Sequence, residues 1–434
     1  MVLRERDVSD QDLDRRKFIA RSTALATAIV PIGVLARWEG QAGSGMPQED
    51  WVGAARAQIP ATSESVYFQT GGIGPSSLHA MAEVTEKLEF QNRGPADPTY
   101  AATMSRIEPD LRAYLASMFG VDANGVALTH STSEGISIAA WSLNWAAGDE
   151  VVISNQEHPA NVMPWYVLRD RFGIEIREIN LDAGTSLLDE ARNALSPRTR
   201  MVSISHVSRN NGRRIRTDES AALGELLRSR GIVYHLDGAQ GPGCVDVDFG
   251  ELGCDCYSTC GHKWLLGPKG TGAFFVRSEA LDTLQLSWAG SHSHAAMDYD
   301  GSYSLLPSAA RYEFGTRALA DFAGFHTAVS WMEELGFDRV LTRVQDLGTH
   351  AVDAAETRPD FRLASPRAEE DRSGVFVLRL PSGCDATHVY NRLAGERRIL
   401  SSPVRREGDL RLAIHFFNTE DEIDAALDGI AAVC

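Results

Sequence analysis

Two short motifs hold the residues whose types and spacing could do chemistry. The apolar run Ile232-Val233-Tyr234-His235-Leu236 ends in Asp237-Gly238-Ala239-Gln240, and a second run, Asp255 to Thr259, ends in Gly261-His262-Lys263-Trp264. A Gly-rich turn follows, from Leu265 to Gly272. A lysine can form a Schiff base with an aldehyde, and an aspartate can keep a pyridine nitrogen protonated. Those are two demands of pyridoxal phosphate (PLP), an electron sink for a substrate carbanion that also needs donors for its phosphate. Asp237 and Lys263, at the ends of two adjacent strands, meet the first two. A surface lysine in a turn would leave the neighbouring motif unexplained.

The elements that must position these residues alternate in type. Val151-Val152-Ile153-Ser154, Met201-Val202-Ser203-Ile204-Ser205 and Ile232 to Leu236 read as buried strands, and Asp218 to Arg230 as a helix between two of them. Strands alternating with helices predict an α/β fold, a mainly parallel sheet covered by helices, with ligands at the carboxyl ends of the strands. Leu319 to Leu335 predicts a long helix leading out of this layer. Beyond it, Gly374 to Leu380 and Leu410 to Ile414 predict strands of a smaller α/β domain. The expected organisation is a large domain over 61–318 and a small C-terminal domain over 319–434, joined by the N-terminal segment.

A chain of 434 residues is ample for two domains, and 43% apolar with 23% charged residues is the composition of a soluble globular protein. A net charge of -17 argues against nucleic acid or an anionic membrane as the main partner. Six cysteines are present, four of them between Cys244 and Cys260, which is not the spacing of a disulfide framework. Cys254-x-Cys256-x3-Cys260 lacks the spacing and the histidine pair of a zinc site, so it reads as buried small side chains and no metal is expected. Ser291-His292-Ser293-His294 reads as a polar loop at the site mouth.

The N-terminus reads as an address. Arg15-Arg16, followed by Phe18, Ile19 and a short apolar run interrupted by Pro31, resembles a twin-arginine export signal over 1–36, with a cleavage point after Ala36. The apolar run is too short to span a bilayer. Export to the periplasm or the exterior by the twin-arginine machinery is the expectation, with a cytoplasmic protein bearing an N-terminal extension as the alternative. Residues 37–60 read as a linker running into a first helix.

The run Asp237 to Gln240 followed by Gly261-His262-Lys263-Trp264 resembles the class V aminotransferase family of PLP enzymes, from about Tyr67 to the C-terminus. Trp264-Leu-Leu-Gly-Pro-Lys-Gly270 leans toward its isopenicillin N epimerase-like branch, beside the cysteine desulfurases. The resemblance implies the type I fold of PLP-dependent transferases. It implies that Thr132 and Ser133 begin a phosphate-binding turn at a helix N-terminus, that His158 in Glu157-His158-Pro159-Ala160-Asn161 stacks on the pyridine ring, and that His262 bonds the phosphate. Gln240 would contact the phenolic oxygen or the lysine. Gly315-Thr316 would reach the phosphate of a neighbouring subunit, implying a homodimer, and Arg411 would bind the α-carboxylate of an amino-acid-like substrate. Gly71-Gly72-Ile73-Gly74 would border the site.

Three departures qualify the resemblance. Cys260 stands where many relatives have a hydroxyl residue near the phosphate. Arg209 stands where desulfurases place an asparagine that touches the cofactor. Arg397 to Leu410 contains no cysteine, so the thiolate of a protein-persulfide desulfurase is missing. The expected function is epimerase- or aminotransferase-type chemistry at the Cα of an amino acid or an amino-acid-containing natural product, through a Schiff base on Lys263. A C–S β-elimination lyase or desulfurase-like enzyme is the alternative, and a non-catalytic binding protein of the same fold a second one.

Overall fold

The computed structural model describes residues 51–182, 184–404 and 408–434. The expected export signal lies outside the described residues, and the linker reading overlaps them where a first helix, Trp51–Ala57, begins. Among the described residues no helix is long and apolar enough to cross a membrane.

Asp50–Cys434 is one compact unit built around two sheets. The short strand β1 (Val66–Tyr67) precedes the large sheet. Its strands are β2 (Val126–Thr129), β3 (Glu150–Ser154), β4 (Glu175–Ile179), β5 (Thr199–Ser205), β6 (Val233–Asp237), β7 (Cys256–Cys260) and β8 (Gly272–Val276). They lie in the order β2-β8-β7-β6-β5-β3-β4. The pairs β4/β3, β3/β5, β5/β6 and β6/β7 are parallel, whereas β8 is antiparallel to both β7 and β2. The sheet is mainly parallel and helix-covered, as the alternating pattern predicts. β2, β3, β6, β7 and β8 are buried along their whole length, which is why they read as continuous apolar runs rather than alternating ones.

One consequence of this topology positions the chemistry. Because β2 runs in the same direction as β7, the carboxyl ends of β2, β3, β5, β6 and β7 meet along one edge of the sheet. The segments bearing Thr132, His158, Arg209, Asp237 and Lys263 all leave from that edge.

A hairpin of β9 (His294–Met297) and β10 (Tyr303–Leu305) follows, and then the helix Leu319–Leu335, with the bounds its apolar pattern predicts. The second sheet comprises β11 (Arg362–Leu363), β12 (Val375–Arg379), β14 (Ser402–Pro403) and β15 (Asp409–Ala413), antiparallel in the order β11-β12-β15-β14. β13 (Ile399–Leu400) pairs instead with β1. Phe68 is buried in the apolar cluster of this second layer with Phe376, Leu412 and Ile430, so the N-terminal segment is packed into it.

The final helix, Glu420–Val433, starts from a capping box in which the Thr419 hydroxyl accepts from Glu422 N and the Glu422 carboxylate accepts from Thr419 N. Beyond its end Cys434 is bonded to Cys384, a pairing that closes 50 residues of chain.

Candidate active site

The helix Thr132–Trp141 begins right after β2. Ser131 caps it, its hydroxyl accepting from Glu134 N at 3.2 Å. Gly135 permits a close approach to β7, since a Cβ there would fall 2.7 Å from Ser258 Oγ. The N-terminal turn of this helix opens into a cavity of about 200 Å³ lined by Ser131, Thr132, Ser133, His158, Asp237 and Lys263, with Gly72, Cys260 and His262 also on its wall. A larger hollow lined by Arg362, Arg379 and Gly383 contains none of the residues expected at the site.

Asp237 is the last residue of β6 and is 3% exposed. Its carboxylate accepts from Ala239 N at 2.9 Å. Burial pushes its pKa up, against the pull of that bond and of the Lys263 charge. No arginine or lysine is ion-paired to it among the described residues, so it is a buried acid short of a cation. A protonated ring nitrogen would supply one.

Glu157, directly before His158, lies beside Asp237. It accepts from Ser205 N at 2.9 Å, Ser205 Oγ and Asn161 Nδ2 at 2.7 Å, and from the Ser154 hydroxyl. Burial, reinforced by Asp237, pushes it up to about 7. Glu157 thereby ties the loop after β3 to the end of β5 and fixes where His158 stands. The sequence marks Glu157 only as a carboxylate following a buried strand, which does not reveal this role.

His158 Nδ1 accepts from Ala160 N at 3.1 Å, which leaves the hydrogen on Nε2. Part of its surface is open in the single chain. The ring is nonetheless desolvated on the cavity side, and Arg209, Lys263 and Arg411 add repulsion, so its pKa falls to about 4. A neutral imidazole suits a flat contact with an aromatic ring. His262 is held at about 4 in the same way, by burial and then by Lys263 and Lys269.

Lys263 sits in the turn after β7. Its carbonyl accepts from Leu266 N at 3.1 Å, and the Gly74 amide donates to the His262 carbonyl at 2.7 Å. A Cβ at Gly74 would fall 2.1 Å from the Lys263 carbonyl oxygen, so the glycine turn at 71–74 borders the site by direct backbone contact.

These residues fit PLP on two observations beyond their types. Thr132 Oγ1 and His262 Nδ1, both on the cavity wall, are buried without a hydrogen-bond partner, as donors awaiting a phosphate would be. Asp237 is a buried acid without a cation. Cys260 is also on the wall, but its thiol lies 3.9 Å from Ala239 O and burial raises its pKa, so it is a poor substitute for a hydroxyl donor.

Four expected residues stand apart from the cavity wall. Gln240 donates to Gly71 O at 2.8 Å and accepts from Trp264 Nε1 at 2.7 Å, so its amide clamps the glycine turn to the lysine turn instead of facing the cavity. Gly315 and Thr316 lie at the surface, in a turn whose flanks are anchored. Glu313 accepts from Arg112 Nε at 3.0 Å and from its Nη2 at 2.6 Å, and Arg317 Nε donates to Glu108 at 3.2 Å. Arg411, on β15, is 2% exposed. Its Nη2 lies 3.6 Å from where a Gly72 Cβ would be, which sets it at the cavity's edge, and its Nε has no partner. Among the described residues no group of three or more His, Cys, Asp or Glu is placed to hold a metal ion.

The fold and this site together define an α/β enzyme dependent on pyridoxal phosphate. Residues 79–425 match the aminotransferase class-V family, and the chain belongs to it. It is 31% identical over 407 residues to isopenicillin N epimerase of Streptomyces clavuligerus, covering 89% of this chain and 99% of that protein. It is 26% identical to a probable cysteine desulfurase of Methanothermobacter thermautotrophicus, over 85% of this chain and 94% of the relative. Among solved structures it is similar to a lysine-to-alanine variant of C-DES with glycine covalently linked to the PLP cofactor. The TM-score is 0.81 at 25% identity, over 87% of this chain and 99% of that one.

Proposed function

We propose that the protein moves the Cα proton of an amino acid, or of an amino-acid-bearing natural product, in an epimerase- or aminotransferase-type reaction. The observation behind this reading is the gathering of Lys263, Asp237 and neutral His158 on one cavity wall, with Arg411, its Nε unpartnered, at its edge. When bound, PLP supplies the electron sink for a carbanion at Cα. Lys263 would hold it, and the Lys263 amine, once free, would take and return the Cα proton. Asp237 would keep the ring nitrogen charged, His158 would pack on the ring, and Arg411 would fix the α-carboxylate. The near full-length match to an epimerase supports chemistry at Cα. Sulfur transfer through a protein persulfide lacks its nucleophile: Cys244, Cys254, Cys256 and Cys260 are all buried and Cys384 is bonded to Cys434.

Turnover of candidate amino acids in deuterated water tests this reading. Deuterium at Cα with recovery of both stereoisomers marks epimerisation, and a keto acid with aminated cofactor marks transamination. Pyruvate with a released leaving group, or no exchange at all, would refute the proposal.

Two further parts of the reading concern assembly and place. The exposed turn at Gly315-Thr316, braced by two partly buried ion pairs, suits contact with a second copy, and the protein acts as a homodimer. The Arg15-Arg16 segment and the Cys384–Cys434 bond both suit export, since disulfides persist in oxidising compartments. Retention in the cytoplasm of a strain lacking twin-arginine transport would support export. Unchanged localisation in that strain would refute it.

A further inference from the structure

Arg209 and Arg411 come from different layers of the fold, both act on His158 at the cavity wall, and among the described residues neither is ion-paired to an acid. Arg209 lies in the loop leaving β5, whose last residue Ser205 is in register with Asp237. That loop is pinned to the segment before His158: Asn210 Nδ2 donates to Gln156 O at 3.0 Å and Ser208 Oγ donates to Gln156 Oε1 at 3.3 Å. Arg411 comes from β15 of the second sheet, buried and with Nε unpartnered. Among the described residues no carboxylate forms an ion pair with either guanidinium. Their charges act on shared ground instead. Arg209 and Arg411 both repel a proton from His158, and Arg209, after burial, lowers Arg411 to about 10. Of the two acids on the cavity side, Glu157 is held by Ser205 and Asn161, and Asp237, which accepts from Ala239 N, forms no ion pair with either arginine.

A buried guanidinium at Arg411 and a half-buried one at Arg209, both without counter-ions, are costly for a protein to keep, and an anion at each reduces the penalty. The phosphate donors, Thr132, Ser133 and His262, come from other segments, so the phosphate of PLP accounts for neither arginine. One α-carboxylate accounts for Arg411 alone.

We infer that Arg209 is a second anion-recognising residue, and that the substrate is an amino acid carrying a second carboxylate besides its α-carboxylate. This rests on the PLP site proposed above and names its substrate class. A planar guanidinium suits bidentate recognition of a carboxylate. Substrates with a neutral or cationic side chain leave Arg209 unanswered and are selected against.

The test uses the PLP-loaded enzyme and unreactive acids. Straight-chain dicarboxylates from malonate to pimelate are compared with monocarboxylates of equal length, with binding read from heat of titration and from the visible absorbance of the cofactor. At least one dicarboxylate is expected to bind about tenfold or more tighter than its monocarboxylate, the size of one desolvated charge pair. Arg209→Gln should abolish that preference while leaving monocarboxylate binding within about threefold, Arg209→Lys should keep part of it, and Arg411→Gln should weaken both series. Absence of any dicarboxylate preference in the wild-type enzyme overturns the inference without needing a variant. So does a preference that survives Arg209→Gln, or an Arg209→Gln enzyme whose resting absorbance shifts while the preference persists, which would assign Arg209 to the cofactor. A wild-type protein that takes up no PLP would instead refute the underlying reading of the site.

Discussion

Gly74→Ala isolates what the glycine turn does for Lys263. The added Cβ would lie 2.1 Å from the Lys263 carbonyl oxygen, 2.9 Å from its carbonyl carbon and 3.1 Å from the His262 carbonyl oxygen. All three atoms are backbone, so no side chain can swing aside. Ordinary contact begins near 3.4 Å, so the two turns must separate by about 1.3 Å, stretching the 2.7 Å bond from Gly74 N to His262 O. Overpacking of this kind costs about 1–3 kcal/mol of stability. A displacement near 1 Å of a reacting group costs on the order of 100-fold in rate. The expected outcome is a folded variant whose kcat/KM falls about 100-fold, with a Tm lower by several degrees. Gly348→Ala is the matched control. It is a buried position in the helix Phe337–Glu356 where a Cβ meets nothing within 4 Å, so Tm should rise slightly and rate should not change. A Gly74→Ala enzyme within threefold of wild type in kcat/KM and equal in Tm would refute the claim that backbone contact with the glycine turn positions the lysine.

Other outcomes follow from the same geometry. Asp237→Asn removes the charge facing the ring nitrogen, and kcat should fall on the order of 100-fold or more with little change in KM, measured by steady-state kinetics. Breaking Cys384–Cys434 by Cys434→Ser should lower stability by about 2–4 kcal/mol in denaturant unfolding, without loss of PLP binding, because the bond lies away from the cavity. Acid should destabilise the fold through three buried histidines. Burial holds His206 and His415 at about 4 and His235 at about 3, below the ordinary 6.5. Their stabilising contribution is complete above 6.5 and is lost as pH falls toward 4, at about 1.4 kcal/mol per pH unit for each. Glu157 works in the opposite sense. Raised to about 7, it contributes fully below 4.5 and loses that contribution as pH rises toward 7, offsetting roughly one histidine. Thermal unfolding between pH 7 and 4 should therefore show Tm falling with pH, and a flat or rising profile would contradict the neutral burial of these rings.

Much of the large sheet was legible because interior parallel strands are apolar on both faces. Val151 to Ser154, Met201 to Ser205 and Ile232 to Leu236 all fall within or one residue from strands, and Leu319 to Leu335 matches its helix end to end. The cavity residues were legible for a related reason, since the carboxyl end of a strand is marked by the abrupt change from apolar run to glycine and charge. What the pattern hid depends on distant parts of the chain. Glu157 is a hub only because β5 brings Ser205 beside it, and no local signal reports a neighbour 48 positions away. Gln240 is turned toward Gly71 and Trp264 by two turns that meet only in the folded chain. The Cys384–Cys434 pairing is likewise set by the packing of the last helix, and spacing alone did not suggest it.

The central claim is that Lys263 carries the cofactor. Borohydride reduction of the PLP-loaded enzyme, followed by peptide mapping by mass spectrometry, tests it most directly. A single phosphopyridoxyl group on the peptide containing Lys263 is the predicted result. Its appearance on another lysine such as Lys269, or no covalent label on an enzyme that shows visible absorbance before reduction, would contradict the account.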